Sequence, residues 1–465
     1  MILDVVKFDI DMNNLTTDVI QQLVDFHRER LLPRYVFLQK YYELHHKIDH
    51  KGDNNLEVKK SDKPNNKLIN DYPGYIVGLS TGYFMGKPIA YSTKDTGNEE
   101  YIEKLQSIFD GNDESDIDSE LAKTCSIQGE AFELVYIDED SQPAFVQLKN
   151  EETLLVYNND IKPKPILGVR HYVVQTPSAI DSIIKEKVVV YTDKNIFYYD
   201  YNIGGLALTG SEAHYFGAVP IIHYKNNKEL MGDFEPVITL IDAYDNMESD
   251  SMDDFDYFTD AYLMLKNMSE TDVDDIKDMK KNRVILVDEN GDAKWLIKDI
   301  NDTAVENFKH RLNADIHKFS KIVDLSDENF GGDLSGVAIR FKLFCLEQLT
   351  VMKERKFKKA LQRRIELITN ILNIKGGNYI YTDIDMSFTR NIPANTTELV
   401  NMVTQLKGTL SEQTLISQLP FVADPQSELE KVKKQQESSL DYKFLQDNQA
   451  KANSNSNKQN GDVNE

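Results

Sequence analysis

The sequence predicts a mixed α+β protein, and three observations carry that prediction. Residues 130–224 hold short apolar runs, among them "EAFELVYID", "TLLVYN" and "EKVVVYTDKNIFYYDY", separated by turn residues at the spacing of a β-rich domain. Beyond Gly232 the pattern changes: Phe234, Val237, Leu240, Ile241, Tyr244 and Met247 recur at three and four, the period of a helix. Lastly, "ENFGGDLSGVAIRFK" (328–342) sets Gly331, Gly332 and Gly336 between two long helical patterns. Glycines let a chain change φ and ψ cheaply, so this stretch reads as a hinge.

The elements follow in order. Asn14, Thr16 and Thr17 offer cap groups to a helical pattern that Pro33 divides into helices at 17–30 and 33–46. "HKGDNNLEVKKSDKPNNK" is polar and reads as a loop. Residues 74–85 read as a helix, Gly86-Lys87-Pro88 as a turn and 89–92 as a strand; 97–127 give two short helices. After the β-rich region come one helix over 237–267, a hairpin over 283–300 turning at Asp288-Glu289-Asn290-Gly291, and a helix over 302–324. A helix from Val337 to Ile374, a strand at 379–388 and short helices at 396–406 and 412–419 complete the ordered part. A polar helix is expected over 424–448 and disorder from 449.

Composition narrows the function. A length of 465 residues suggests two to four domains. The formal net charge of −24 argues against a free nucleic-acid binder, which shows a basic excess. Two cysteines, Cys125 and Cys345, build neither a disulfide framework nor a Cys-based zinc site. The N-terminus has acids where a signal peptide needs bases, and no run of about 18 apolar residues suggests a membrane span.

Catalytic motifs are scarce. His45, His46 and His50 lack a third convergent ligand type and read as solvated surface. "GGDLSGVA" lacks the Gly-Lys-Ser/Thr of a phosphate loop. "GLSTG" (78–82) has the Gly-x-Ser-x-Gly spacing, but a nucleophile elbow needs a strand before its serine. Here a helix precedes Ser80, so close helix packing through small residues is the better reading. The helix at 237–267 carries Asp242, Asp245, Glu248, Asp250, Asp253, Asp254, Asp256 and Asp260 against one base, Lys266. A metal-dependent nuclease or hydrolase is the alternative these acids allow; a solvated acidic face is the default. Residues 338–375 have the opposite sign, ten bases against three acids. Those bases suit either nucleic acid or the acidic faces of neighbouring subunits.

Several blocks resemble portal proteins of tailed double-stranded DNA bacteriophages, closest to those of long-tailed phages of Gram-positive bacteria. They are "DKPNNKLINDYPGYIVGLSTGYFMGKPIAYS" (62–92), "CSIQGEAFELVYIDED" (125–140), "FGAVPIIHYKNNKELMGDFEPVITLIDAYD" (216–245) and "GDLSGVAIRFKLFCLE" (332–347). The resemblance implies a non-enzymatic, cofactor-free ring of twelve subunits at one capsid vertex of the virion, assembled in the host cytoplasm. DNA is packaged and ejected through it. It implies a wing at 1–235 with the strand at 379–390, stem helices at 236–267 and 301–326, and a clip at 268–300. A tunnel loop at 327–337, a long helix at 338–375, a crown at 391–448 and a tail at 449–465 follow.

On the same resemblance, Asn329, Phe330, Gly331, Gly332, Asp333, Leu334, Ser335, Gly336 and Val337 face passing DNA. Lys280, Lys281, Arg283, Asp288, Asn290 and Trp295 of the clip dock the terminase and then a head-completion or adaptor protein, as head–tail connectors do. Major capsid and scaffolding proteins are further implied partners, and no membrane is. The Lys and Arg of the long helix are expected to face neighbouring subunits more than DNA. Another virion adaptor is the remaining alternative.

Overall fold

Strand alternation dictates how this chain is layered. The structure, a computed structural model, describes residues 5–51, 64–94, 98–176, 183–202, 204–259, 262–266, 274, 292–296, 302–325, 336–391 and 396–416, with short runs between 419 and 435. The first helices are α1 (Thr17–Phe26), α2 (Leu32–Tyr42) and α3 (Tyr72–Met85); β1 (Ala90–Thr93), α4 (Glu99–Asp110) and α5 (Glu114–Gln128) follow. Next come β2 (Glu130–Ile137), β3 (Pro143–Leu148), β4 (Thr153–Tyr157), β5 (Pro165–Thr176), β6 (Ile183–Tyr191), β7 (Asn195–Asn202), β8 (Gly205–Ala213) and β9 (Ile221–Lys225). The rest is α6 (Ile238–Thr259), β10 (Tyr262–Lys266), β11 (Asp292–Leu296), α7 (Asp302–Ser320), α8 (Gly336–Lys342), α9 (Phe344–Ile374), β12 (Ile384–Ser387), α10 (Thr396–Leu406) and α11 (Glu412–Ile416). Two compact units result: residues 1–81, 108–326 and 344–381, and residues 82–107, 327–343 and 382–465.

In the larger unit, β3-β2-β9 form one antiparallel sheet and β4-β5-β6-β7-β8 another. Side chains alternate across a strand. Phe132 and Leu134 of β2 therefore meet Leu155 and Tyr157 of β4 and Val189 and Tyr191 of β6 in a core between the sheets. The intervening Leu154, Val156, Val188 and Val190 face the other way, onto Ile20, Leu23 and Val24 of α1. On the far side of the smaller sheet, Glu133 of β2 and Tyr224 of β9 meet α9, through Arg364 and Phe357. The order of layers is thus α9 with α5, three strands, five strands, α1. Each fully buried Val or Leu contributes about 1.5–3 kcal/mol.

Local chemistry explains two irregularities. His27–Leu31, between α1 and α2, is a π-turn, and the Leu32 N–H reaches back to the His27 carbonyl. Pro33 follows and has no N–H to continue the α-helical ladder. At the end of α5, Gly129 adopts φ +87° and donates its N–H to the Cys125 carbonyl at 2.8 Å. A Cβ there would stand 2.0 Å from the Leu230 carbonyl oxygen, so glycine is required twice over.

Several expected boundaries shift. The helix expected to reach 267 stops at Thr259, and Tyr262–Lys266 is a strand paired antiparallel with Asp292–Leu296. "YLMLK" is short and apolar, a run whose periodicity alone does not separate strand from helix. The helix expected over 302–324 ends at Ser320. The one expected over 337–374 starts at Gly336 and is interrupted at Leu343. In the smaller unit β1 pairs antiparallel with β12, Ala90 opposite Ser387. Helical residues recur between 425 and 435, while the rest of the expected polar helix and the 449–465 tail lie outside the described residues. Among the described residues no helix is long and apolar enough to cross a membrane.

Candidate functional site

The acids of α6 are turned to a structural task. Residues 64–70 run extended along the helix. The N–H groups of Asn66, Leu68 and Asn70 donate to Asp253 Oδ1 (2.6 Å), Ser249 Oγ (2.9 Å) and Asp245 Oδ1 (2.9 Å). Every second residue of an extended chain advances about 6.6 Å. Every fourth residue of a helix advances about 6 Å. The two repeats stay in step over three contacts. Asp256 accepts the Asn66 side-chain amide, and Lys51 bridges Asp250 and Asp253 at 2.8 and 2.7 Å. Burial works to raise the Asp253 pKa, but the Asn66 and Lys51 hydrogen bonds hold it below the usual carboxylate range.

This corrects the expectation of a solvated acidic face. Asp245 is fully buried, Asp242 accepts the Tyr41 hydroxyl at 2.9 Å, and Glu248 pairs with Lys309 of α7 at 3.1 Å. Asp250 is exposed, Asp254 is half-buried and Asp260 lies outside the described residues. An extended segment needs acceptors for its amides, and this helix supplies them. His46 is also corrected: it is buried, with Nδ1 2.6 Å from Asp245 Oδ2, whereas His45 and His50 are exposed. Among the described residues no group of three or more His, Cys, Asp or Glu is arranged to hold a metal ion.

Helix α3 fastens the α6–α7 pair. Tyr72 packs edge-on against Tyr244 of α6 and donates to Asn313 of α7 at 2.7 Å. Tyr75 donates to the Val323 carbonyl at 2.8 Å and accepts the Leu325 N–H at 2.9 Å, anchoring the chain just before residue 326. Ser80 lies mid-helix and fully buried, with no strand before it, so it is not a nucleophile elbow. The close packing expected at its neighbour is absent: a Cβ on Gly78 would meet nothing within 4 Å.

Two of the ten bases of the long helix point inward. Lys353 of α9 donates to Ser80 Oγ at 2.7 Å and pairs with buried Asp233, which also accepts from Ser126 and Asn226. Burial works to raise the Asp233 pKa, but the Lys353 charge and these donors pull it below its ordinary value. Arg364, fully buried, takes Glu133 and Asp118. For these two residues the expectation of subunit-facing charge is wrong, because α9 uses them to grip its own unit. Sequence reasoning also missed Asn66, Asn70, Tyr72 and Tyr75. Their one signal was the regular spacing of polar and aromatic residues in "NNKLINDYPGY".

The glycine-rich loop residues Asn329, Phe330, Gly331, Gly332, Asp333, Leu334 and Ser335 lie outside the described residues, while Gly336 and Val337 open α8. Lys280, Lys281, Arg283, Asp288 and Asn290 also lie outside them. Trp295 sits on β11 in register with Leu263 of β10.

These features define a scaffold. Buried ion pairs tie its parts together, Arg364 with Glu133 and Asp118 and Lys353 with Asp233. Residues 22–441 match the family of phage portal proteins of the SPP1 Gp6-like type, and the chain belongs to that family. It is 27% identical to the portal protein of Bacillus phage SPP1 over 443 residues, 90% of this chain and 86% of that one. It is 23% identical to the portal protein of Clostridium phage phiCD119 over 382 residues, 77% of this chain and 82% of that one. A solved structure of the neck of an empty GTA particle, computed with C6 symmetry, superposes with a TM-score of 0.46 at 12% identity, covering 75% of this chain and 90% of that one. A portal protein is a non-enzymatic component of the virion. It forms an oligomeric ring at a capsid vertex and provides the channel for DNA packaging.

Proposed function

We propose that the channel of this portal is built from α6 and α7 as stem helices, with residues 260–301, including β10 and β11, as the clip between them. The wing is 1–235 with β12. Residues 326–335 form the tunnel loop, α8 and α9 carry the loop back to the wing, and residues 391–448 form the crown. Twelve copies close the ring, and double-stranded DNA passes the loop during packaging and ejection. The terminase and then a head-completion or adaptor protein dock on the clip, through Lys280, Lys281, Arg283, Asp288, Asn290 and Trp295. Major capsid and scaffolding proteins meet the wing.

The observation that carries this reading is the α6–β10–β11–α7 arrangement. After the last strand of the sheets the chain runs along one helix, passes through a strand pair and continues along a second helix, the two helices bridged by Glu248–Lys309. The glycine-rich stretch follows at once. A conduit must not grip its cargo, since phosphate contacts would act as brakes. A chain of net charge −24 repels the duplex within a screening distance of roughly 10 Å.

Native mass spectrometry with negative-stain imaging tests the ring. A closed ring of about twelve or thirteen copies with a central hole is expected. A monomer or dimer that cleaves DNA on adding Mg²⁺ or Mn²⁺ would overturn the reading. In a ring-forming background, Gly331→Pro/Gly332→Pro is expected to leave assembly intact and reduce DNA packaged per capsid.

A further inference from the structure

Two helices on opposite sides of the stacked sheets, α9 and α1, carry opposite charge. On α9, Phe344, Gln348, Met352, Arg355, Lys359 and Gln362 are all exposed and follow one another at spacings of three and four, a single stripe turned away from the sheet. Lys356 is exposed beside it, and among the described residues no ion pair takes up Arg355, Lys356 or Lys359. Two sheets away, α1 shows the opposite pattern. From Asp9 to Asp25 there are four acids and no base. Asp18, Gln22 and Glu29 are exposed and Asp25 is half-exposed, again at spacings of three and four. Glu29 lies just past the end of α1, in the π-turn; beside it Arg28 pairs with Glu186, and Arg30 is exposed at the edge of a cavity beside β4.

We propose that these stripes are the two halves of one seam between copies of this chain, the α9 stripe of one subunit against the α1 stripe of the next. This rests on the ring reading and adds which faces meet. A ring of identical subunits needs a head-to-tail contact between two different, complementary patches. The layer order puts a basic patch and an acidic patch on opposite outer faces of one unit, which is the polarity such a contact requires. Opposite potentials also steer encounter and set register. A second copy fits the α9 stripe better than DNA does, because Phe344 and Met352, 57% and 52% exposed, lie in the same row as the bases. Phosphates have no use for a phenylalanine and a methionine. A protein face buries them.

Charge reversal in the full-length chain tests the seam. Arg355→Glu/Lys359→Glu makes both faces acidic, and Asp18→Lys/Glu29→Lys makes both basic. Each variant alone is expected to need about tenfold more protein for half-assembly than wild type, by mass photometry. An equimolar mixture of the two is expected to assemble near the wild-type concentration, in rings of even number with the variants alternating. Circular dichroism checks that both chains fold. Single variants that assemble like wild type would sink the seam while leaving the ring standing. So would a mixture that fails to rescue, or an α9 reversal that spares the ring and only weakens its retention on double-stranded DNA. A wild-type chain that forms no ring would instead sink the reading beneath it.

Discussion

Arg364 and Glu133 form a two-pronged hydrogen bond that solvent does not reach, Nε to Oε2 at 3.0 Å and Nη2 to Oε1 at 2.6 Å. The contact fastens α9 to β2, and Asp118 of α5 joins at 2.5 Å. Glu114 stands 3.8 Å away, and the guanidinium lies 4.4 Å from the Phe145 ring centre. Burial keeps the Glu133 pKa above its ordinary value even with the Arg364 charge beside it. One cation therefore holds several acids in a site that would otherwise reject them.

Removing that cation should be costly. Arg364→Leu strands Glu133 and Asp118 without a counter-charge, and the expected loss is roughly 3–5 kcal/mol of unfolding free energy. Arg364→Lys keeps the charge but loses the planar fork, and should recover only part. Urea unfolding of the dissociated chain measures both. A loss below about 1 kcal/mol for Arg364→Leu would mean that water already screens the cluster.

The contacts between residues 66–70 and α6 predict which amides are shielded. Hydrogen exchange should show the N–H groups of Asn66, Leu68 and Asn70 protected, since each donates to α6. Ser249→Ala should release Leu68 first, and Asp253→Ala should release Asn66. Each change is expected to cost about 1–3 kcal/mol, because a donor loses its acceptor. Uniform exchange across 66–70 in both variants would mean that the segment is held by something other than these three acceptors.

How far the sequence foretold this structure depends on range. Local signals were legible: Pro33 marked the join of α1 and α2, and the short apolar run "EAFELVYI" gave β2. Tertiary pairings were not. Nothing local tells that Asp245 will serve the amide of Asn70, 175 positions away, and a run of acids on a helix looks the same solvated or bonded. Arg364 and Lys353 sit among eight other bases of like appearance, and only the fold reveals that these two are buried, Arg364 against Glu133 of β2 and Lys353 against Asp233 and Ser80. The Tyr262–Lys266 strand was missed because five apolar residues after a helix continue its hydrophobicity, and their partner lies beyond a long connection.

A buried histidine pair predicts acid sensitivity. His27 Nε2 donates to the Asn150 carbonyl at 2.9 Å, so its Nδ1 is the acceptor facing His171 Nε2 at 2.8 Å. A proton added to His27 Nδ1 would set two N–H groups against each other. Burial first, and then the His171 charge, push the His27 pKa down to about 4; burial and Arg28 do the same to His171. The unfolded chain holds these protons at higher pH than the folded one, so stability rises with pH between the two values. It is fully present above about pH 6.5 and is lost as pH falls toward 4, by roughly 3 kcal/mol for His27. A His27→Gln/His171→Gln chain should start less stable at pH 7 and fall less between pH 6.5 and 4.5. Equal slopes would assign the acid loss to other groups.

Two glycines separate backbone demand from backbone freedom. Gly129 holds φ +87° with the Leu230 carbonyl where a Cβ would be, so Gly129→Ala adds both torsional strain and a clash with main chain that cannot swing aside. The expected cost is roughly 3 kcal/mol or more. Gly78 lies inside α3 with open space around its missing Cβ. There alanine removes chain entropy from the unfolded state and improves helix propensity, for an expected gain of about 0.5–1 kcal/mol. Urea midpoints of the two dissociated chains should therefore move in opposite directions. If Gly78→Ala gains stability as a monomer yet assembles poorly, the open face of α3 is needed by a neighbouring copy. If it gains in both states, that glycine serves no contact and its place in the helix has no packing reason.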